Sequence, residues 1–533
     1  MIRVVKIVFL FAFLLTLFSC RKDFERPNWD VDLLAPLVKT SLTLDHLLPD
    51  STIQTNPDTT LKLVYQRNIL DMDVDSLFQI PDTNMIETFS LALPSVLNPG
   101  DFFYSTSREF NLNVNNGVEL TTVYIESGFI EVEVFSDIKE KIIAEYTFPS
   151  ATKNGDTLVV RELIPAATGG QPGHLLKRVD VSGYHLDLTG TTKTKVNTMV
   201  VRASGMVDTN ATSSVVVAVG EKIEVHNRVV SLVPAYAKGY FGNLKFRFGP
   251  ETVNFNVFDR VTSGTIDIDQ IDVNLNFQNG IGVDARLTIN QFESFNSENG
   301  GSALLSHPTI GAPVNLNRAQ ETFSIPEVKY TNYNIFMNTS NSNIDNLIEI
   351  FPDELRYDID LNVNPLGNIS GNNDFVFKKH PLKINLNVEF PLSLIADNFT
   401  LLDTIDLSLP EGGDNGEIID GLLYLYADNT FPFDANIALS LYDANSNFIQ
   451  NLTVIDKIQA APVDGSLRVK QMKSSVITIP LSESDIDNLY ITDKVVMKIT
   501  FNTLPQSQYI KIYEGYAIDI KIVGDFSYNV NLK

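Results

Sequence analysis

From residue 30 onward apolar residues recur at every second position, and that period constrains the fold more than any other feature. Side chains alternate between the two faces of a β-strand, so a period of two with one apolar set means strands with one buried face. The clearest run is Ile271, Val273, Leu275 and Phe277 against Asp272, Asn274 and Asn276. Asn279-Gly280 follows, a dipeptide that tolerates positive φ and predicts a two-residue hairpin. Beyond it Val283, Ala285, Leu287 and Ile289 alternate with Asp284, Arg286 and Thr288. Upstream, Ile266 and Ile268 alternate with Asp267 and Asp269; the phase slips at Gln270, which reads as a bulge.

Two other stretches share this layout. Ile130, Val132 and Val134 precede Ser136-Asp137 and then Ile138, Ile142, Ala144 and Tyr146; Leu422 to Ala427 precedes Asp428-Asn429 and then Ala435, Ile437, Leu439 and Leu441. The starts at 130, 271 and 422 are 141 and 151 residues apart. That spacing is one domain length and points to duplicated domains rather than a solenoid. Helical spacing is scarce: Ser340 to Leu355 and Ser484 to Tyr490 are the candidates, the second with Ser484 as N-cap and Asp487 three residues on. Turn-rich breaks occur at Asn98-Pro99-Gly100, Phe248-Gly249-Pro250 and Pro410 to Gly416. The expectation is an all-β chain of several Ig-like β-sandwich domains in series, at 31–125, 126–250, 251–410 and 411–533.

Composition narrows the function classes. Forty Lys and Arg against 65 Asp and Glu give a net charge of −25 over 533 residues, the opposite of a nucleic-acid footprint. Apolar residues at 44% and charged residues at 20% suffice for real cores. A single cysteine excludes disulfide frameworks and Cys-based metal sites.

That cysteine, Cys20, closes an N-terminal segment with basic Arg3 and Lys6 and an apolar run from 7 to 18. The run is too short to span a bilayer comfortably. Leu17-Phe18-Ser19-Cys20 resembles a bacterial lipoprotein signal, with Phe18 bulkier than the usual residue. The resemblance implies cleavage of residues 1–19, acylation of Cys20, and a tether over 20–30 attached to the membrane through acyl chains. Arg21 to Glu25, with Lys22, Asp23 and Glu25, is similar to the export tag of Bacteroidota surface lipoproteins, and Asn28 to Leu37 resembles the start of a little-characterised group of them. What these imply is an outer-membrane lipoprotein on the cell surface. Asp428 to Phe433 is similar to the core of water-stress and late-embryogenesis-type β-sandwich domains.

The residues offer little catalysis. The six histidines are 46, 174, 185, 226, 307 and 380; no two have metal-pair spacing, and no nucleophile elbow or phosphate loop is present. Asp71, Asp73 and Asp75 alternate like oxygen ligands of a structural calcium, and Asp443 to Asn447 has similar spacing, but both lack the Gly and Glu of an EF-hand. The simpler readings are an edge strand and a hairpin turn. Tyr240 and Phe241, between Gly239 and Gly242, are the aromatic candidates for a ligand contact; burial in a strand competes with that reading. The expected function is a non-catalytic, lipid-anchored envelope protein binding a glycan, matrix component or partner protein. The alternatives are a periplasm-facing lipoprotein that scaffolds an envelope complex or shelters a lipid, and a glycan hydrolase, which needs only two placed carboxylates.

Overall fold

The computed structural model describes residues 28–43, 53–72, 75, 77–322, 327–406 and 416–531. Among them are thirty-five strands and two short helices, so the chain is nearly all β in several sheets. It does not divide into four consecutive domains. It forms two compact units: one from residues up to Leu63, Val257–Asp269 and Phe390 onward, the other from Val64–Asn256 and Gln270–Glu389. The expected boundary at 125/126 falls inside a continuous strand, Glu119–Ser136. Phe248-Gly249-Pro250 is a register shift within the strand Leu244–Asn254 rather than a linker. The phase slip at Gln270 is where the chain passes from one unit to the other.

The larger unit holds two sandwiches. In the first, the strands Thr83–Ser90, Lys222–Tyr240, Glu119–Ser136 and Gly173–Asp180 form one layer. Phe102–Asn111, Thr198–Val207, Ile142–Lys153 and Asp156–Ile164 form the other, and His185–Asp187, paired with both Glu119–Ser136 and Ile142–Lys153, joins the two into one ten-stranded sheet. Phe89, Val225, Tyr104, Ala144 and Tyr146 from both layers close on one small cavity of about 10 Å³. In the second sandwich, Asp272–Asn279 lies between Thr331–Asn338 and Leu382–Pro391. The facing sheet centres on Glu354–Val363, between Leu244–Asn254 and Ala285–Phe295. Buried Tyr357 joins this sheet to the first by donating to the carbonyl of Ile69, on the strand Leu61–Asp71 that lies beside Leu382–Pro391, at 2.8 Å.

The smaller unit has a four-stranded sheet in the order Asn28–Thr43, Ala517–Asn531, Gly416–Asn429, Lys473–Leu481. Its second sheet centres on Ser393–Asp406, Lys494–Thr503 and Phe433–Tyr442. The helix Glu483–Tyr490 buries Ile486 and Leu489; its N-cap is Ser482 in a capping box with Asp485, not Ser484. The other helix is only Ile344–Glu349.

The predicted hairpin at Asn279-Gly280 is not one. Asp272–Asn279 and Ala285–Phe295 belong to different sheets. Buried Asn279 accepts from the Ile281 N–H at 3.0 Å and donates to the Asn317 carbonyl at 2.8 Å, bending the chain from one layer to the other. The same device recurs at buried Asn429, which accepts from Phe431 N–H at 2.7 Å and donates to the carbonyls of Phe433 and Gln459. At buried Ser136 the hydroxyl accepts from Ile138 N–H at 3.3 Å. The strands before and after Ser136 do not pair either. The repeated sequence pattern is therefore a repeated corner.

Candidate functional site

The outer face of the four-stranded sheet carries two neighbouring tyrosines, Tyr424 and Tyr426. Alternation sends Leu423, Leu425, Ala427, Ile477, Ile479, Ile518, Ile520 and Ile522 inward, where all are buried. Their neighbours face out and align across the strands. One row is Leu34, Asp525, Leu422 and Pro480; the next is Pro36, Val523, Tyr424 and Thr478; the third is Lys39, Lys521, Tyr426 and Val476. Leu34 is 69%, Tyr426 44% and Val476 57% exposed. The Tyr424 and Tyr426 rings sit side by side, centroids 6.3 Å apart. A fourth row adds Asp519 and Asp428 beside the two lysines.

At the other end of this face a cleft of about 470 Å³ is lined by Asp32, Asp420, Asp525, Ser527 and Pro480. A register shift between Ile418 and Asp420 interrupts the ladder beside it. Gly421 forms part of the cleft lining. A Cβ on it would stand 2.6 Å from the Phe526 ring and 2.7 Å from the Asp525 carbonyl, so this position admits only glycine. The face thus offers two aromatic rings, carboxylate acceptors and ammonium donors within a few strand spacings.

The sequence candidates fall elsewhere. Cys20, Lys22, Asp23, Glu25 and Asp73 lie outside the described residues. Asp71 pairs with Lys383 at 3.2 Å and Asp75 with Lys378 at 3.9 Å, two separate ion pairs. Among the described residues no three His, Cys, Asp or Glu side chains are arranged to hold a metal ion. Asp443 is the acceptor of a hairpin turn, taking the Asn447 side-chain amide and the backbone N–H groups of Asn447 and Asn445, and these bonds, the side-chain one first, lower its carboxyl pKa.

Phe241 is completely buried and packs on Phe78 at 5.4 Å, so it has no face to offer a ligand. Its N–H points at buried Asp374, which also takes Asn364 Nδ2 at 2.7 Å and pairs with Arg318 at 3.2 Å. Gly242, at φ +72°, approaches the Asn116 carbonyl too closely for a side chain. The segment is a structural bolt; only Tyr240 remains partly exposed, and burial raises its hydroxyl pKa.

Sequence spacing also missed a histidine cluster. His174 and His226 come from different strands to one carboxylate, Glu133, at 3.0 and 3.8 Å. His226 reaches Glu224 at 2.9 Å, and Arg228 bonds Glu133 at 2.7 Å. The His174 and Arg228 bonds hold Glu133 below the usual carboxylate range. Strand phase places all five outward, but nothing in the spacing predicts which strands pair.

No family model matches the chain, and no curated protein matches it. Among solved structures it is similar to a protein of Parabacteroides distasonis assigned provisionally as secreted, at 11% identity, covering 93% of this chain and 99% of that one, with a TM-score of 0.27. The VP2 protein of infectious bursal disease virus is similar at 10% identity over 91% and 82%, with a TM-score of 0.13. Neither likeness identifies a family.

Proposed function

We propose that this chain is a non-catalytic, lipid-anchored protein of the cell surface that binds a glycan on the outer face of its four-stranded sheet. The observation that carries the reading is the Tyr424–Tyr426 pair, half-buried and exposed respectively on the outer face of the sheet and bordered by carboxylates and ammonium groups. A tyrosine ring presents an apolar body with a polar tip, which suits the apolar face of a sugar ring. Asp525, Asp428 and Asp519 accept from hydroxyls, and Lys521 and Lys39 donate to them. No residue of this face needs to gain or lose a proton. Lipidation of Cys20 would hold the strand that begins at Asn28 within about 30 Å of the membrane, the reach of an eight-residue tether.

A lipid chain in the apolar core and an acid at Glu87 both lack room among the described residues. A wholly apolar cavity in the smaller unit, lined by Phe258, Phe390, Phe399, Phe431, Phe433 and Phe501, measures about 60 Å³. A dry cavity that admits benzene is about 150 Å³, so a lipid chain does not fit. Burial raises the carboxyl pKa of Glu87, as a general acid requires, but it faces the 10 Å³ cavity, room for one water.

The test is retention of the full chain on immobilised polysaccharides, alongside protease shaving of intact and lysed cells. Tyr426→Ala and Tyr424→Ala should each weaken retention about tenfold or more, with the melting temperature preserved because Tyr426 is exposed. Retention unchanged in the double variant would refute the site. Protection in intact cells would refute the location.

A further inference from the structure

The larger unit carries a second polar site of different chemistry. On the outward face of the layer containing Thr198–Val207, Arg202 stands between Ser107 and Thr147, its cross-strand neighbours on either side. Ser204, two residues on and facing the same way, stands between Ser105 and Glu145. These side chains line one cleft of about 360 Å³. Directly opposed residues on a sheet bring their Cβ atoms to within about 5.5 Å, so the Arg202 guanidinium and four hydroxyls converge on a space the size of a small ligand group.

The charges around this cleft cancel, except one. Glu145 is taken by Arg161 at 3.2 Å. Glu109, next along the Ser107 strand on the same face, is taken by Lys195 and by Thr191, and these bonds hold its carboxyl at about 2. Arg202 is exposed and makes no ion pair among the described residues. In a chain with 65 acidic residues and 40 basic ones, the directly opposed neighbours of Arg202 are a serine and a threonine, and Glu145, the carboxylate that also lines the cleft, is held by Arg161. A guanidinium fork with nearby hydroxyl donors has the geometry that a two-oxygen anion accepts.

We infer that this cleft binds an oxyanion group carried by an extracellular ligand, a sulfate ester, a phosphate or a carboxylate. Arg202 holds two of its oxygens, and Ser107, Thr147, Ser204 and Ser105 donate to the further oxygens of a sulfate or phosphate, or to the remaining lone pairs of a carboxylate. The site lies in the other unit from the tyrosine face and does not depend on it.

Calorimetric titration of the full chain with sodium sulfate, inorganic phosphate and glucuronate, at constant ionic strength, tests this and separates the three sources. One or more should bind saturably. Arg202→Ala should weaken that binding at least about tenfold, and Arg202→Lys should fall between, because an ammonium keeps the charge and loses the fork. Ser107→Ala with Thr147→Ala removes two donors while leaving the charge, and should weaken binding about threefold or more. Absence of saturable binding for all three anions overturns the inference. So does equal binding in wild type and Arg202→Ala, which would mean adventitious association only.

Discussion

At the residue scale the buried polar side chains matter most, because each replaces backbone partners that a tight bend removes. Asn429 is fully buried and serves one N–H and two carbonyls. Truncation leaves all three without their partner in a site closed to water. Asn429→Ala should therefore destabilise the smaller unit by about 2–4 kcal/mol, read as a shift of the urea midpoint at unchanged slope. Asn429→Asp should not recover it, since it keeps the acceptor for Phe431 but sets a carboxylate oxygen against the carbonyls of Phe433 and Gln459 in a site closed to water. A loss below about 0.5 kcal/mol in the alanine variant would mean the corner is held by strand packing alone. This role was half-legible in the sequence: Asn279 and Asn429 both announce a change of direction. Whether the chain returns beside itself or crosses to another layer depends on which distant carbonyl takes the side-chain amide, Asn317 in one case and Phe433 with Gln459 in the other.

At the element scale, alternation identified the strands and their buried faces well. Val273, Leu275 and Phe277 are buried as expected, as are Ile437, Leu439 and Leu441. Pairing was not legible, because a period of two says which side is wet and nothing about the neighbour. Helix ends show the same limit at shorter range. Ser482 and Ser484 each precede acidic residues, and only the backbone decides between them: Ser482 is extended at φ −80° and ψ 165° and accepts from Asp485 N–H. Ser482→Ala should cost about 1 kcal/mol and Ser484→Ala close to nothing, compared by thermal melting. Equal costs would place the cap elsewhere. The tyrosine face belongs to this scale too: Tyr424 and Tyr426 read as exposed positions of a strand, but their alignment with Lys521 and Val476 is a product of register.

At the scale of the whole molecule, sequence reading failed for a physical reason. Linear segmentation assumes that neighbours in sequence share a core, and here each unit is assembled from separated stretches. The segment 411–533, expected to stand as a domain, contributes Gly416–Asn429, Lys473–Leu481 and Ala517–Asn531 to a sheet whose edge is Asn28–Thr43, and its strands Lys494–Thr503 and Ile510–Lys511 pair with Ser393–Asp406. Produced alone, it would expose the apolar faces those strands cover. A fragment of residues 411–533 should lack dispersed amide signals and aggregate, whereas the full chain melts cooperatively. A well-folded fragment would show that the missing strands are dispensable. The pairing of Asn28–Thr43 with Ala517–Asn531 has a mechanical meaning as well. The ladder runs unbroken in pairing, apart from one bulge, from Asn28 against Asn531 to Thr43 against Ala517. A pull applied at residue 28 along the strand therefore loads those hydrogen bonds together, in shear. Drag on the molecule would be shared across the whole strand instead of peeling it bond by bond.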